Sequence, residues 1–349
     1  MKQICSLLLS ATLLLDCAAC GDQGAENTAR NREASAGLFA MDTHLNLTAY
    51  GEKAETAMEQ AQDRIRELES LWSVTDEHSE IYTANHSGGN PVTVSNDTAD
   101  LVRYALDMAE QTNGSLEPTL YPVLTAWGFT TDSFQIPEQA ELDHLLEKVD
   151  YTSVSLQGTA LTVPDGMQLD LGAVGKGYAA DETAAVLREN HVESALLDFG
   201  GNILTIGTKP DGSPWRVGVR DPDSEGNLGI LEIADQSVVV SGGYEKFFVG
   251  EDGERYWHIL DPATGAPAGH GLVQTAIVSD ESKRCDALST ALFVMGLDNA
   301  VQYWREHRDF EMILLTENRT IYVTEGLSDA FSLGTGQEGR EVQVIRYEA

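Results

Sequence analysis

Gln168-Leu169-Asp170-Leu171-Gly172-Ala173-Val174-Gly175-Lys176-Gly177-Tyr178-Ala179-Ala180-Asp181-Glu182 is the stretch on which the reading turns. An apolar strand end runs into three glycines within six residues, then into a helical pattern near Lys176–Glu189. Such a turn lets backbone amides approach phosphate oxygens and sets a helix N-terminus beneath them, with Lys176 adding a cation. The spacing fits neither a P-loop nor a dinucleotide fingerprint. From these residues alone, a tight structural turn and an anion site are equally good readings.

Outward from this stretch, helices and strands come in mixed blocks. Upstream, Met41 to Tyr50 alternates as a strand does, with Leu45, Leu47 and Ala49 set against His44, Asn46 and Thr48. Glu52 to Trp72 carries Met58, Ala61, Ile65, Leu68 and Leu71 on one helical stripe. Asn96 is the expected cap of a helix running to about Gln111, ended by Gly114. A short helix follows Pro137, then strand signals at Ser153–Leu156 and Ala160–Val163. Downstream, short strands are expected at Ala195–Phe199, Ile203–Gly207, Trp215–Arg220, Gly229–Ile233 and Val238–Ser241. Helices are expected at Ser282–Met295 and Leu297–Glu306, and a hairpin at Met312–Thr316 and Thr320–Val323. Blocks of this kind indicate α+β rather than a doubly wound sheet.

The chain has 349 residues and a formal net charge of −34. That charge argues against nucleic acid as a partner, because such a partner requires a basic face. Lys2 and the apolar run Ile4 to Leu15 read as a signal peptide over residues 1–20, too short to span a bilayer. Ala18-Ala19-Cys20 resembles the lipobox of bacterial lipoproteins, so Cys20 rather than Cys17 is the expected lipidation site. An ordinary cleaved signal is the alternative. This reading places the protein at the cell membrane, lipid-anchored on the extracytoplasmic face. Residues 21–37 lack an apolar period and read as a flexible tether, with the folded domain over 38–349. Only Cys285 then remains in that domain, where a small buried residue is the better reading than a nucleophile.

Two more segments carry chemistry. In Arg255-Tyr256-Trp257-His258-Ile259-Leu260-Asp261-Pro262-Ala263-Thr264-Gly265-Ala266-Pro267, His258 and Asp261 read either as an acid–base pair or as turn chemistry. In Cys285-Asp286-Ala287-Leu288-Ser289-Thr290, Asp286 and Thr290 are four apart and share a helix face. Their hard oxygens suit Mg²⁺; a capping Asp and a half-buried Thr are the plain alternative.

These three segments occur in order with Met41-Asp42-Thr43, Ser79-Glu80-Ile81, Glu117-Pro118-Thr119, Ala126-Trp127-Gly128-Phe129, Phe199-Gly200-Gly201-Asn202 and Ser241-Gly242-Gly243-Tyr244. Together they resemble the ApbE family of FAD:protein FMN transferases over roughly Phe39 to Leu297. The resemblance implies two related T-fold-like halves with the flavin site in the cleft between them. It implies Mg-dependent transfer of FMN from FAD to a threonine hydroxyl of a separate extracytoplasmic acceptor protein, releasing AMP. Ala173 (through its carbonyl), Asp286 and Thr290 match the Mg²⁺ ligands. Met41, Asp170, Lys176 and Leu260 match FAD contacts, as do Thr75 and the Ser115-Leu116-Glu117 run. His258 and Asp286 are the implied catalytic residues. Glu117, Thr75 and Gly243 differ from residues frequent in relatives. A FAD pyrophosphatase and a non-enzymatic flavin-binding lipoprotein are the rival readings. The chain contains no Asp-x-x-[ST]-Gly-Ala-Thr acceptor motif of its own.

Overall fold

The computed structural model describes residues 31–131 and 133–347. The expected signal peptide and lipidation site lie outside them. A nine-stranded sheet forms the centre, and its spatial order follows chain order. Its strands are β1 Glu33–Ala40, β2 Thr43–Tyr50, β3 Ser194–Phe199, β4 Asn202–Ile206, β5 Ser237–Gly242, β6 Leu272–Ser279, β7 Glu311–Thr316, β8 Ile321–Thr324 and β9 Val342–Ile345. Neighbours pair antiparallel except β8 and β9, which run parallel. The helices are α1 Ala54–Trp72, α2 Glu80–Asn85, α3 Asn96–Gln111, α4 Tyr121–Ala126, α5 Gln139–Leu146, α6 Gly172–Glu189 and α7 Ser282–His307.

The helix layer follows from the apolar stripes. On α1, Ala54, Ala57, Ala61, Ile65, Leu68 and Trp72 recur every three or four residues and are all buried, with Met58 beside them. That face lies on β1 and β2, while α6 lies on β3 and β4 and α7 on β5 and β6. Truncating Ile65 to Ala would cost about 2–5 kcal/mol, since the side chain is fully buried and its loss leaves a cavity. The fold is therefore α+β. The grouping of β1–β4 with α1 and α6, and of β5–β9 with α7, is consistent with two halves sharing one continuous sheet. On the opposite face, a small sheet of Trp215–Arg220, Asn227–Ile233 and Phe331–Leu333 covers β5 to β8. Strand β6 is buried on nearly every residue, which leaves its sequence without the alternation that marks a half-exposed strand.

Three expectations shift. The tether expected through Gly37 does not hold for residues 33–37, because β1 begins at Glu33 and pairs with β2 along its full length, and the rest of that expected segment up to residue 30 lies outside the described residues. Its inward positions are Ala34, Ala36 and Leu38, too small for a visible apolar period. Helix α3 is capped by Ser95 rather than Asn96, the Ser95 Oγ accepting the Thr98 N–H at 3.2 Å. The glycines at 172, 175 and 177 form the opening of α6 itself rather than a turn before it. The expected break between two helices at residue 296 is present: Gly296, at φ 76° and ψ 174°, is non-helical and divides α7 at a kink. No helix among the described residues is long and apolar enough to cross a membrane.

Candidate active site

The start of α6 and the first turns of α7 lie against each other, and glycine permits the approach. A Cβ on Gly177 would overlap the Ser282 carbonyl oxygen and stand 2.7 Å from both Asp286 Cβ and Lys283 Cα. The Gly177 N–H donates to Asp286 Oδ2 at 2.8 Å. In a regular helix its acceptor is the carbonyl four residues back, here Ala173, so this contact competes for the donor that carbonyl would use. Ahead of them, the Gly172 N–H donates to Asp170 Oδ1 at 2.9 Å.

Asp286 is only 4% exposed. Burial raises its pKa, opposed by the charge of Lys176, by the Gly177 N–H and by Asn202. Asn202 is itself buried, and its Nδ2 has no completed hydrogen bond. A carboxylate sunk this far, a hydroxyl one turn on at Thr290 and a competing backbone carbonyl at Ala173 form an all-oxygen set. That set fits a small hard cation that keeps several ligands from water or phosphate.

Met41 and Asp42 form the tip between β1 and β2, both in the left-handed region at φ 53° and 58°. Neither is glycine, so the tip is strained. Glu69 of α1 holds it, its Oε1 accepting the Met41 N–H at 2.7 Å. A second turn, Gly200-Gly201, packs against Thr43, and both glycines have positive φ. The Ser115-Leu116-Glu117 run is fixed by its own acid. Glu117 accepts the Thr119 N–H at 2.9 Å, the Thr119 hydroxyl at 2.6 Å and the Tyr151 N–H at 3.2 Å. Burial raises the Glu117 pKa against those bonds. The Pro118 carbonyl accepts the Asp170 N–H at 2.7 Å, tying this loop to the start of α6.

His258 is half-buried at the end of the strand Arg255–Trp257, with Phe129 at 6.4 Å between ring centroids. Its Nδ1 lies 3.2 Å from the Lys246 carbonyl oxygen. A carbonyl only accepts, so Nδ1 carries the proton and Nε2 is left as the basic nitrogen. Burial, with Lys176 and Lys246 adding, lowers its pKa to about 4, opposed by the bond to Lys246. Asp261 is no partner for it. Asp261 Oδ1 accepts the Ala263 N–H at 2.9 Å, and Oδ2 faces His270 at 3.3 Å, so the turn reading holds there. Cys285 is buried, and burial pushes its thiol up to about 12, leaving it inert.

One cavity of about 510 Å³ brings most of these groups together: Met41, Ser115, Leu116, Glu117, Asp170, Ala173, Lys176, His258, Leu260, Asp286 and Thr290 all line it. Thr75 lines a second cavity of about 350 Å³, which shares Met41, Asp170, Lys176 and His258 with the first. The structure adds Asp42, Tyr121, Asn202, Glu245 and Lys246 to the lining. Glu245 keeps its surface open to solvent while the walls surround it. Burial there, with Asp286 adding, pushes its carboxyl up to about 7 against Lys176 and Arg220. Asn202 and Glu245 follow the Gly200-Gly201 and Gly242-Gly243 turns, a signal that the sequence displayed without saying which side chain faced inward.

The model of the ApbE family matches residues 41–314. The FAD:protein FMN transferase of Treponema pallidum is 31% identical over 339 residues, covering 90% of this chain and 93% of the relative. That of Klebsiella pneumoniae is 33% identical over 266 residues, covering 74% and 82%. The crystal structure of the ApbE protein from Thermotoga maritima superposes with a TM-score of 0.80 at 30% identity, covering 86% of this chain and 99% of the other. Flavin transferase ApbE from Vibrio cholerae shares the fold, with a TM-score of 0.74 at 23% identity over 88% and 98%.

Proposed function

This chain belongs to the ApbE family, a transferase family, and from that premise we propose that it moves FMN from FAD to a threonine hydroxyl of a separate acceptor protein. The observation that carries the reading is the single cavity in which the Asp286–Thr290–Ala173 oxygens, the α6 N-terminus with Lys176, and His258 meet. Asp286, Thr290 and the Ala173 carbonyl would hold Mg²⁺. When bound there, the ion neutralises charge on the pyrophosphate and polarises the phosphorus under attack.

The chain's own groups supply the rest. Lys176 and the start of α6 bind the pyrophosphate of FAD. Met41, Thr75, Asp170 and Leu260, with the Ser115–Glu117 loop, orient the remainder of the substrate. The acceptor hydroxyl oxygen bonds to the FMN-side phosphorus, the pyrophosphate P–O bond breaks, and AMP departs with the bonding pair. His258 Nε2 takes the hydroxyl proton. A base with so low a pKa is weak, but the incoming phosphate charges offset Lys176 and Lys246 and raise its basicity in the complex.

We further propose that the protein is anchored through Cys20 on the extracytoplasmic side. The support is the sequence of residues 1–20 alone.

Replacing Asp286 with Ala tests the site. Transfer should fall by at least a thousandfold while the thermal unfolding of the variant stays cooperative. Wild-type transfer by that variant with Mg²⁺ present would remove the metal assignment.

A further inference from the structure

Asp181 lies in the glycine-rich stretch, yet the chemistry above gives it no task. Helix α7, which presents Asp286 and Thr290, begins without a cap from its own N-cap residue, for the Glu281 side chain accepts no backbone N–H of the first turn. An uncapped helix start leaves N–H groups without acceptors. Asp181 of α6 supplies them from across the interface. Its Oδ1 accepts the Ser282 N–H at 2.8 Å and its Oδ2 accepts the Lys283 N–H at 2.9 Å.

One turn earlier on the same face of α6 is the Gly177 N–H that reaches Asp286. Two attachments four residues apart fix the separation of the helices and also the rotation of one about the other. The same turn of α7 is tied to the sheet, because the Ser237 hydroxyl donates to Ser282 Oγ at 2.9 Å. Asp181 is half-buried. Burial pushes its carboxyl up to about 6, opposed by the two N–H groups and Lys283, so it is mostly ionised at neutral pH.

We propose that Asp181 is a positioning residue that caps α7 from α6 and thereby sets the Asp286 carboxylate against the Ala173 carbonyl, and with it the affinity of the site for a divalent cation. This rests on the reading that those oxygens hold Mg²⁺.

The test titrates Mg²⁺ into the full-length protein with FAD present and no acceptor, by calorimetry, for wild type, Asp181→Asn and Asp181→Glu. Thermal unfolding without metal is recorded for each. Asn keeps one acceptor but turns an NH₂ toward the second N–H, so Mg²⁺ binding should weaken about tenfold. Glu keeps both oxygens on a longer arm and should bind between the two, which keeps the comparison open if Asp181→Asn fails to fold. Both variants binding Mg²⁺ as wild type does, whatever their unfolding temperatures, would overturn the proposal and leave Asp181 a structural cap. Wild type that shows no Mg²⁺ binding would overturn it together with the metal reading. Weakened Mg²⁺ binding in the variants, beside a wild type that transfers no FMN, would support the clamp while sinking the transferase reading.

Discussion

Adding one methyl group at Gly177 probes the site with little chemical change. A Cβ there stands 2.7 Å from Asp286 Cβ and from Lys283 Cα, and overlaps the Ser282 carbonyl. Ordinary carbon–carbon contact is about 3.5–4.0 Å, so α7 must move away from α6 by about 1 Å. Overpacking of this kind costs about 1–3 kcal/mol, and the better helix propensity of Ala returns up to about 1 kcal/mol. Global stability should therefore fall by at most about 3 kcal/mol in a urea titration. The site should suffer more, since a displacement of about 1 Å in a positioned constellation is on the order of 10²-fold in rate. Gly175→Ala is the internal comparison. Its Cβ would meet only Trp72 Cε3 at 4.0 Å, so stability should rise by up to about 1 kcal/mol and transfer should stay within a few-fold. Steady-state FMN transfer measured for both variants decides the matter. Equal rates in Gly177→Ala and wild type, or equal losses in the two variants, would refute the geometric argument.

Other outcomes follow from the same geometry. The His258 imidazole should titrate near pH 4 in the free protein rather than near 6.5, as followed by NMR, and its midpoint should rise when FAD fills the cleft. Between those values the unfolded chain binds the proton that the folded chain refuses, so stability should fall as pH is lowered from about 6.5 to 4, and His258→Gln should lose that part of the fall. A midpoint near 6.5 in the free protein would remove the lysine-and-burial account. Glu69→Ala should release the strained Met41–Asp42 tip and raise the KM for FAD about tenfold with little change in Mg²⁺ activation. Glu69→Gln retains an acceptor oxygen and should recover most of that loss; an unchanged KM in the Ala variant would show that the tip holds itself.

The parts of the fold that could be read in advance are those whose side chains carry a period. The α1 stripe and the alternation of β2 were legible because one face of each is wet. Strand β6 was not, being buried on both sides, and β1 was hidden by alanines where larger side chains would have shown the alternation. The glycine stretch resembles a turn because glycine usually breaks a helix, whereas in the structure it opens α6 and close packing against α7 requires glycine at 177. Within the site, the residues matched to metal and flavin positions came together in two cavities that share Met41, Asp170, Lys176 and His258, whereas Ser79, Glu80 and Trp127 of the other motifs line neither. The roles of Glu69 and Asp181 are not legible in the sequence, for a common reason. Each acts on backbone N–H groups of a distant segment, Met41 in one case and Ser282 and Lys283 in the other, and such pairing leaves no local pattern.

The measurement that bears most directly on the central claim is the mass of an acceptor. The full-length protein is incubated with FAD, Mg²⁺ and a protein bearing the Asp-x-x-[ST]-Gly-Ala-Thr motif, and the acceptor is then weighed. The acceptor should gain one FMN and AMP should appear in solution, both abolished by EDTA. Free FMN and AMP beside an unmodified acceptor, or FAD left intact, would contradict the transferase reading.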